Sequence, residues 1–258
     1  MKTLCCLLLL VPFAAAQTTP TAATTSQAAT QIAPATHPES EYQRKHDQQL
    51  LTDFGDLARY SEANAKLGPP APDENRVVFM GDSITDAWGH PTGIFFPGKP
   101  YVNRGISGQT TPQMLVRFWP DAIALQPKVV VILAGTNDIA GNTGPTTPAM
   151  IQDNLMAMAD LATANGIRVV LASILPAATY PWQPGTDPRA EIVALNAWMR
   201  ETCARKGYVY LDYYSAMVNP DQGMKKELTI DGVHPNAAGY AVMTPLAEQA
   251  IAKALKTQ

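Results

Sequence analysis

The sequence predicts an α/β domain: a parallel sheet of five strands with helices on both faces. Three observations carry that prediction. Five short, mostly apolar runs recur at 76–80, 101–103, 128–133, 167–174 and 208–211, each too brief for a typical helix. Longer segments with helical spacing separate them, at about 111–119, 147–165, 188–206 and 236–255. Strands of near-continuous apolar character between helices are buried on both faces, which is the condition of a parallel sheet. Finally, polar clusters follow the strand ends, where open α/β sheets place their sites.

In chain order, the first element is an export signal at residues 1–16. Lys2 supplies a positive start, Leu4 to Phe13 an apolar stretch too short to span a bilayer, and Ala14-Ala15-Ala16 a small-residue cleavage site. The expected localisation is therefore secreted or periplasmic. Cys5 and Cys6 lie inside this signal and leave with it. Residues 17–36, rich in Thr, Ala and Gln, read as a disordered linker. The domain proper is expected over 37–258. It begins with one helix from about Pro38 to Leu67, stopped by Gly68-Pro69-Pro70. Asn165-Gly166 is a helix stop before the fourth strand. Pro245 is expected to kink or restart the last helix.

Composition narrows the function. A chain of 258 residues holds one large domain with a full core. Its net charge of −3, with Lys and Arg scattered, argues against nucleic-acid binding. No membrane-spanning run is present after the signal. Cys203 is the one thiol left in the mature chain, so stability rests on packing rather than on an internal disulfide. Its neighbours at helical spacing, Leu195 and Met199, mark it as a buried small hydrophobe. The domain shows no clustered His and Asp ligands, which disfavours a metal phosphoesterase.

The chemistry gathers at the strand ends. Ser83, in Gly81-Asp82-Ser83 after the first strand, is the candidate nucleophile. A serine hydroxyl needs a base at neutral pH. His234, held by Pro235 at the entrance of the last helix, is the candidate base. Asp231, three residues earlier, is placed to accept the imidazole Nδ1–H and so leave Nε2 for the serine proton. A loop histidine and a helix-capping aspartate remain the structural readings of these two. Candidate donors for a tetrahedral oxyanion are the Ser83 N–H, the Gly108 N–H and the Asn137 side-chain amide. Trp88, Tyr180 and Trp182 are candidate substrate-binding aromatics near the same edge, with loop anchoring as their structural reading.

Four blocks stand in order: Gly81-Asp82-Ser83-Ile84, Asn103 to Gly108, Gly135-Thr136-Asn137-Asp138, and Asp231-Gly232-Val233-His234-Pro235. The stretch they span resembles the SGNH hydrolases, also called the GDSL esterase/lipase family. The residues around Ser83 and Asn137 are most similar to the branch of platelet-activating-factor acetylhydrolase subunits. The resemblance implies a flavodoxin-like three-layer α/β/α sandwich with no metal or other cofactor. It implies Ser83, Asp231 and His234 as a catalytic triad and Ser83, Gly108 and Asn137 as the oxyanion hole. With export, it implies a serine carboxylic-ester hydrolase acting on short acyl groups. O-acetyl groups on a small molecule or polysaccharide fit best. A lysophospholipase or thioesterase would use the same residues on longer chains. A carbohydrate-binding module is disfavoured because every catalytic position is filled.

Overall fold

A computed structural model describes residues 41–256. The expected signal at 1–16 and linker at 17–36 lie outside the described residues.

Where one leading helix was expected there are two, α1 (Glu41–Thr52) and α2 (Ser61–Leu67). Asp53 turns the chain between them: its carboxylate accepts the Leu57 and Ala58 N–H groups at 2.9 and 3.1 Å. Leu51, Phe54 and Leu57, large apolar residues of this segment, are exposed. Hydrogen bonds tie this segment to the rest of the domain. Gln109 donates to Gly55 O, Gln113 to Phe54 O, and the Tyr60 hydroxyl to Gly105 O.

The sheet then begins. In sequence come β1 (Val77–Gly81), the one-turn α3 (Ser83–Asp86), β2 (Tyr101–Gly105) and α4 (Thr111–Asp121). Next are β3 (Val129–Leu133), the short α5 (Thr136–Ile139), α6 (Pro148–Ala164), β4 (Arg168–Ala172) and α7 (Arg189–Lys206). The chain ends with β5 (Val209–Leu211), α8 (Tyr214–Met217) and α9 (Ala237–Lys256). The strand order is β2-β1-β3-β4-β5, every pair parallel. β2 runs two residues past its expected end because it stays in register with β1 as far as Gly81 opposite Gly105. α9 passes through Pro245 as one helix and is not restarted there.

Side chains alternate across the strands and make two cores. Val78, Met80, Val130, Ile132 and Leu171 pack on one face against Phe118 of α4, Leu155 of α6 and Leu195 of α7. Val77, Phe79, Val131, Leu133 and Val170 pack on the other against Tyr240, Met243 and Ile251 of α9. This is the three-layer α/β/α sandwich, with the doubly wound order of flavodoxin-like folds. Cys203 is buried in the first core, and burial pushes its thiol up to about 11, as expected of an inert packing residue.

The strand order reverses between β1 and β3, where the two neighbouring connections leave the sheet in opposite directions. That is the place at which such sheets bind ligands. A fully buried Arg117 on α4 ties the carboxyl ends of β1 and β2 together just beneath it. It donates to Gly81 O at 3.0 Å, Arg104 O at 2.9 Å and Gln109 Oε1 at 2.5 Å, and pairs with Asp121 at 3.2 Å.

Candidate active site

Ser83 stands at the switch point, as the first residue of α3. The turn into that helix is closed by Asp82, whose Oδ1 accepts the Ile84 N–H at 3.0 Å. Gly81 is required here for space rather than for a special backbone angle: a Cβ would run into the Thr85 side chain. Gly105 on β2 is required likewise, since a Cβ there would meet the backbone of α3 at Asp86.

The Ser83 hydroxyl lies 2.9 Å from His234 Nε2, across 151 residues of sequence. The other ring nitrogen, Nδ1, lies 2.7 Å from Asp231 Oδ2. Asp231 also builds the loop that carries the imidazole, because its Oδ1 accepts the His234 and Val233 backbone N–H groups at 2.8 and 3.0 Å. Thr229 closes the same loop by donating to His234 O at 2.8 Å, and Val233 is buried beneath it. Burial raises the Asp231 carboxyl, but the hydrogen bonds from His234 and Val233 outweigh it and hold it below the usual carboxylate value. Asp82 is different. Its second oxygen has no protein partner, and burial pushes the carboxyl up to about 6 against the Ile84 N–H and the nearby His234.

Gly108 and Asn137 line the same cleft as the serine. Gly108 sits at φ +80°, a left-handed angle that glycine adopts without strain. Its loop is anchored by Ser107, whose N–H and hydroxyl both donate to Asp86 of α3, at 3.2 and 2.7 Å. Asn137, nearly buried on α5, gives one amide N–H to Gln109 O at 3.0 Å. The next residue, Asp138, pins α5 to the start of α4. Its carboxylate accepts the Thr111 N–H at 3.0 Å and the Thr111 hydroxyl at 2.5 Å.

Ser83, Gly108, Asn137, Trp182 and His234 line one cavity of about 570 Å³, together with Asn142 and Gln183 among others. Two of the three expected substrate-binding aromatics are elsewhere. Trp88 is 1% exposed, packed among Phe79, Phe95, Phe96 and Tyr240, with its indole N–H on Ile94 O at 3.2 Å. Proximity to Ser83 in sequence misled because the turn of α3 sends this ring into the sheet face rather than the cleft. Tyr180 is likewise 1% exposed and backs Trp182, the rings stacking at 5.2 Å. Trp182 alone of the three lines the cleft, its ring 5.9 Å from that of His234. Asn142 escaped the sequence reading. The only hint of it was a polar residue in the glycine-containing loop just after the Asn137 block. Among the described residues, no cluster of three His, Cys, Asp or Glu side chains is arranged to hold a metal ion.

A family model described as GDSL-like lipase/acylhydrolase matches residues 79–242, from within β1 into α9. The chain belongs to that GDSL-like lipase/acylhydrolase family. An acetylxylan esterase of Xylanibacter ruminicola is 27% identical over 246 residues, covering 80% of this chain and 48% of its own. The chain thus spans about half the length of that curated relative. Esterase TesA of Pseudomonas aeruginosa is 32% identical over 175 residues, covering 63% of this chain and 80% of its own. The crystal structure of a GDSL-like lipase from Bacteroides thetaiotaomicron is 44% identical. It covers 78% of this chain and 100% of its own, with a TM-score of 0.75. No described helix is long and apolar enough to cross a membrane.

Proposed function

We propose that this GDSL-family chain is an exported serine esterase that removes short acyl groups, O-acetyl groups on carbohydrate above all. The observation that carries the reading is the unbroken contact chain from Asp231 through His234 to Ser83, at 2.7 and 2.9 Å, opening on a cleft lined by Gly108 and Asn137. In the first step, Ser83 Oγ attacks the ester carbonyl carbon while His234 Nε2 takes the hydroxyl proton. The carbonyl oxygen becomes an oxyanion that meets the N–H groups of Ser83, Gly108 and Asn137. Asp231 holds the imidazolium in place. Collapse breaks the bond to the alcohol, which leaves with the proton from His234. Water, deprotonated by the same ring, then attacks the acyl-serine and frees the acid and the hydroxyl.

The preference for short acyl groups is drawn from the acetylxylan esterase relative and not from the cavity wall, where Ser107, Asn142 and Gln183 stand beside Ala140, Gly141 and the Trp182 ring and the exposed surface is more apolar than polar. Trp182, 39% exposed, gives a flat face on which a sugar ring can stack. The acetylxylan esterase relative supports a carbohydrate ester, and the apolar start of the sequence supports export.

The test is a p-nitrophenyl series of acetyl, butyryl and octanoyl esters, run beside acetylated xylan, acetylated pectin fragments and a lysolipid. Release of acetate from a glycan, with rates falling as the acyl chain lengthens, is expected. Faster octanoyl or lysolipid turnover would replace this reading by the long-chain one. Ser83→Ala is expected to abolish both turnover and covalent labelling by an organophosphonate. Retained turnover in that variant would reject the serine mechanism.

A further inference from the structure

A side-chain amide has two orientations of nearly equal shape, related by a half-turn that exchanges its oxygen and nitrogen. For Asn137 the choice matters. One orientation offers N–H to the cleft, and the other offers a carbonyl oxygen to the place where an oxyanion would form. Something must select between them.

We infer that Trp182 and Asn142 form a positioning relay that sets the orientation of the Asn137 amide. The inference rests on the proposed oxyanion role of Asn137. An indole has a single N–H and no acceptor, so its polarity is unambiguous. Trp182 gives that N–H to Asn142 Oδ1 at 3.0 Å. The Asn142 nitrogen must then face the other way, and its two N–H bonds go to Asn137 Oδ1 at 2.9 Å and Gly108 O at 3.2 Å. Every hydrogen of the Asn142 amide is thereby used. On its other side Asn137 Nδ2 gives one N–H to Gln109 O at 3.0 Å, an acceptor that favours the same orientation, and the relay adds to that bond in turning the second N–H toward the cleft. The Asn142 backbone N–H, on Asn137 O at 3.0 Å, holds the two residues in step.

The relay has a second consequence. The Asn142 amide grips both loops that carry candidate oxyanion donors, the one bearing Gly108 and the one bearing Asn137. Trp182 is itself seated by stacking on buried Tyr180, and its ring lies 5.9 Å from that of His234. A residue on the β4–α7 loop therefore reports to both halves of the site.

The experiment uses the full chain, p-nitrophenyl acetate, and three variants. Trp182→Phe keeps an aromatic ring over Tyr180 and removes the N–H. Its kcat is expected to fall about tenfold, the worth of one neutral hydrogen bond, with KM changed less than about twofold. Asn142→Asp removes both donors and sets a carboxylate against Asn137 Oδ1, a repulsion that drives Asn137 to turn its N–H toward the carboxylate against the hold of Gln109 O. A kcat loss of about 10²–10³ is expected, as large as that of Asn137→Ala. The combined Asn137→Ala/Trp182→Phe variant is expected to fall less than about twofold below Asn137→Ala alone, because the relay acts through Asn137. A Trp182→Phe enzyme with wild-type kcat, or a combined variant carrying the full additional tenfold, would overturn the inference. A readout independent of turnover completes the test. The Asn137 side-chain amide resonances, assigned by their loss in Asn137→Ala, are expected to shift in Trp182→Phe, and resonances left in place would overturn the relay. Absence of any ester turnover by the wild-type chain would sink the proposed function instead, and the resonance arm would still decide the relay.

Discussion

Asp231→Asn tests the electrostatics of the site with the least disturbance to its fold. Asparagine keeps an oxygen where Asp231 Oδ1 accepts the Val233 and His234 N–H groups, so the loop retains its two backbone bonds. Only the atom facing His234 Nδ1 changes, from a carboxylate oxygen at 2.7 Å to an N–H donor. Two penalties follow. Unit charges about 4 Å apart near a protein surface attract by about 4 kcal/mol. The side chains here are 27% and 36% exposed, and solvent screening cuts the loss of imidazolium stabilisation to about 2 kcal/mol. A donor set against a donor costs about 1–3 kcal/mol more, or forces the tautomer with its proton on Nε2, which cannot take the Ser83 proton. Together these give about 4 kcal/mol, or about a 10³-fold loss of kcat/KM. The assay is steady-state hydrolysis of p-nitrophenyl acetate at neutral pH, with thermal melting as the control. A variant within tenfold of wild type, melting normally, would refute the reasoning.

Other outcomes follow from the same geometry. Asn137→Ala is expected to lower kcat by about 10²–10³ while the chain stays folded, measured by the same assay with circular dichroism. Trp88→Ala is expected to cost about 3–5 kcal/mol of stability, because it empties a fully buried aromatic cluster, and to leave acyl-length selectivity unchanged; a selectivity change without a lower melting temperature would contradict this. Asp82, with its carboxyl raised to about 6, is destabilising when ionised. Its contribution is fully present below the unfolded carboxylate value near 4 and is lost as pH rises through about 6. Relative to wild type, Asp82→Asn is therefore expected to gain up to about 3 kcal/mol in denaturant melts between pH 4 and pH 7, and a difference that stays flat across that range would count against the buried charge.

Much of the fold was legible because each local rule agreed with the global one. Val129 to Leu133 is a run of β-branched and leucine residues too short for a typical helix and suited to a buried strand, and the glycines and prolines between segments mark real chain reversals. The leading helix was misread because Asp53 acts through its carboxylate, which accepts two backbone N–H groups that apolar spacing does not register. Pro245 does not restart the last helix, because packing of α9 on the sheet sustains one helix through it.

The site divides along the same line. Ser83 and Asn137 were visible as polar residues just past strand ends, Gly108 as a glycine in the loop after the second strand, and Asp231 and His234 as a polar pair before the last helix. Trp88 and Tyr180 were placed wrongly because an aromatic ring reads the same in sequence whether it faces a core or a cleft. Asn142 was invisible, since nothing local distinguishes an asparagine that orients another amide from one that caps a turn. The sequence by itself determined the strand runs, the parallel class and the chemical types at the sheet edge, because those depend on periodicity and on residues near in the chain. Only the tertiary structure decided which aromatic lines the cleft, how the amides are oriented, and that a hydroxyl and an imidazole 151 positions apart stand within hydrogen-bonding reach. Those depend on directions of side chains from separate elements, which no single segment encodes.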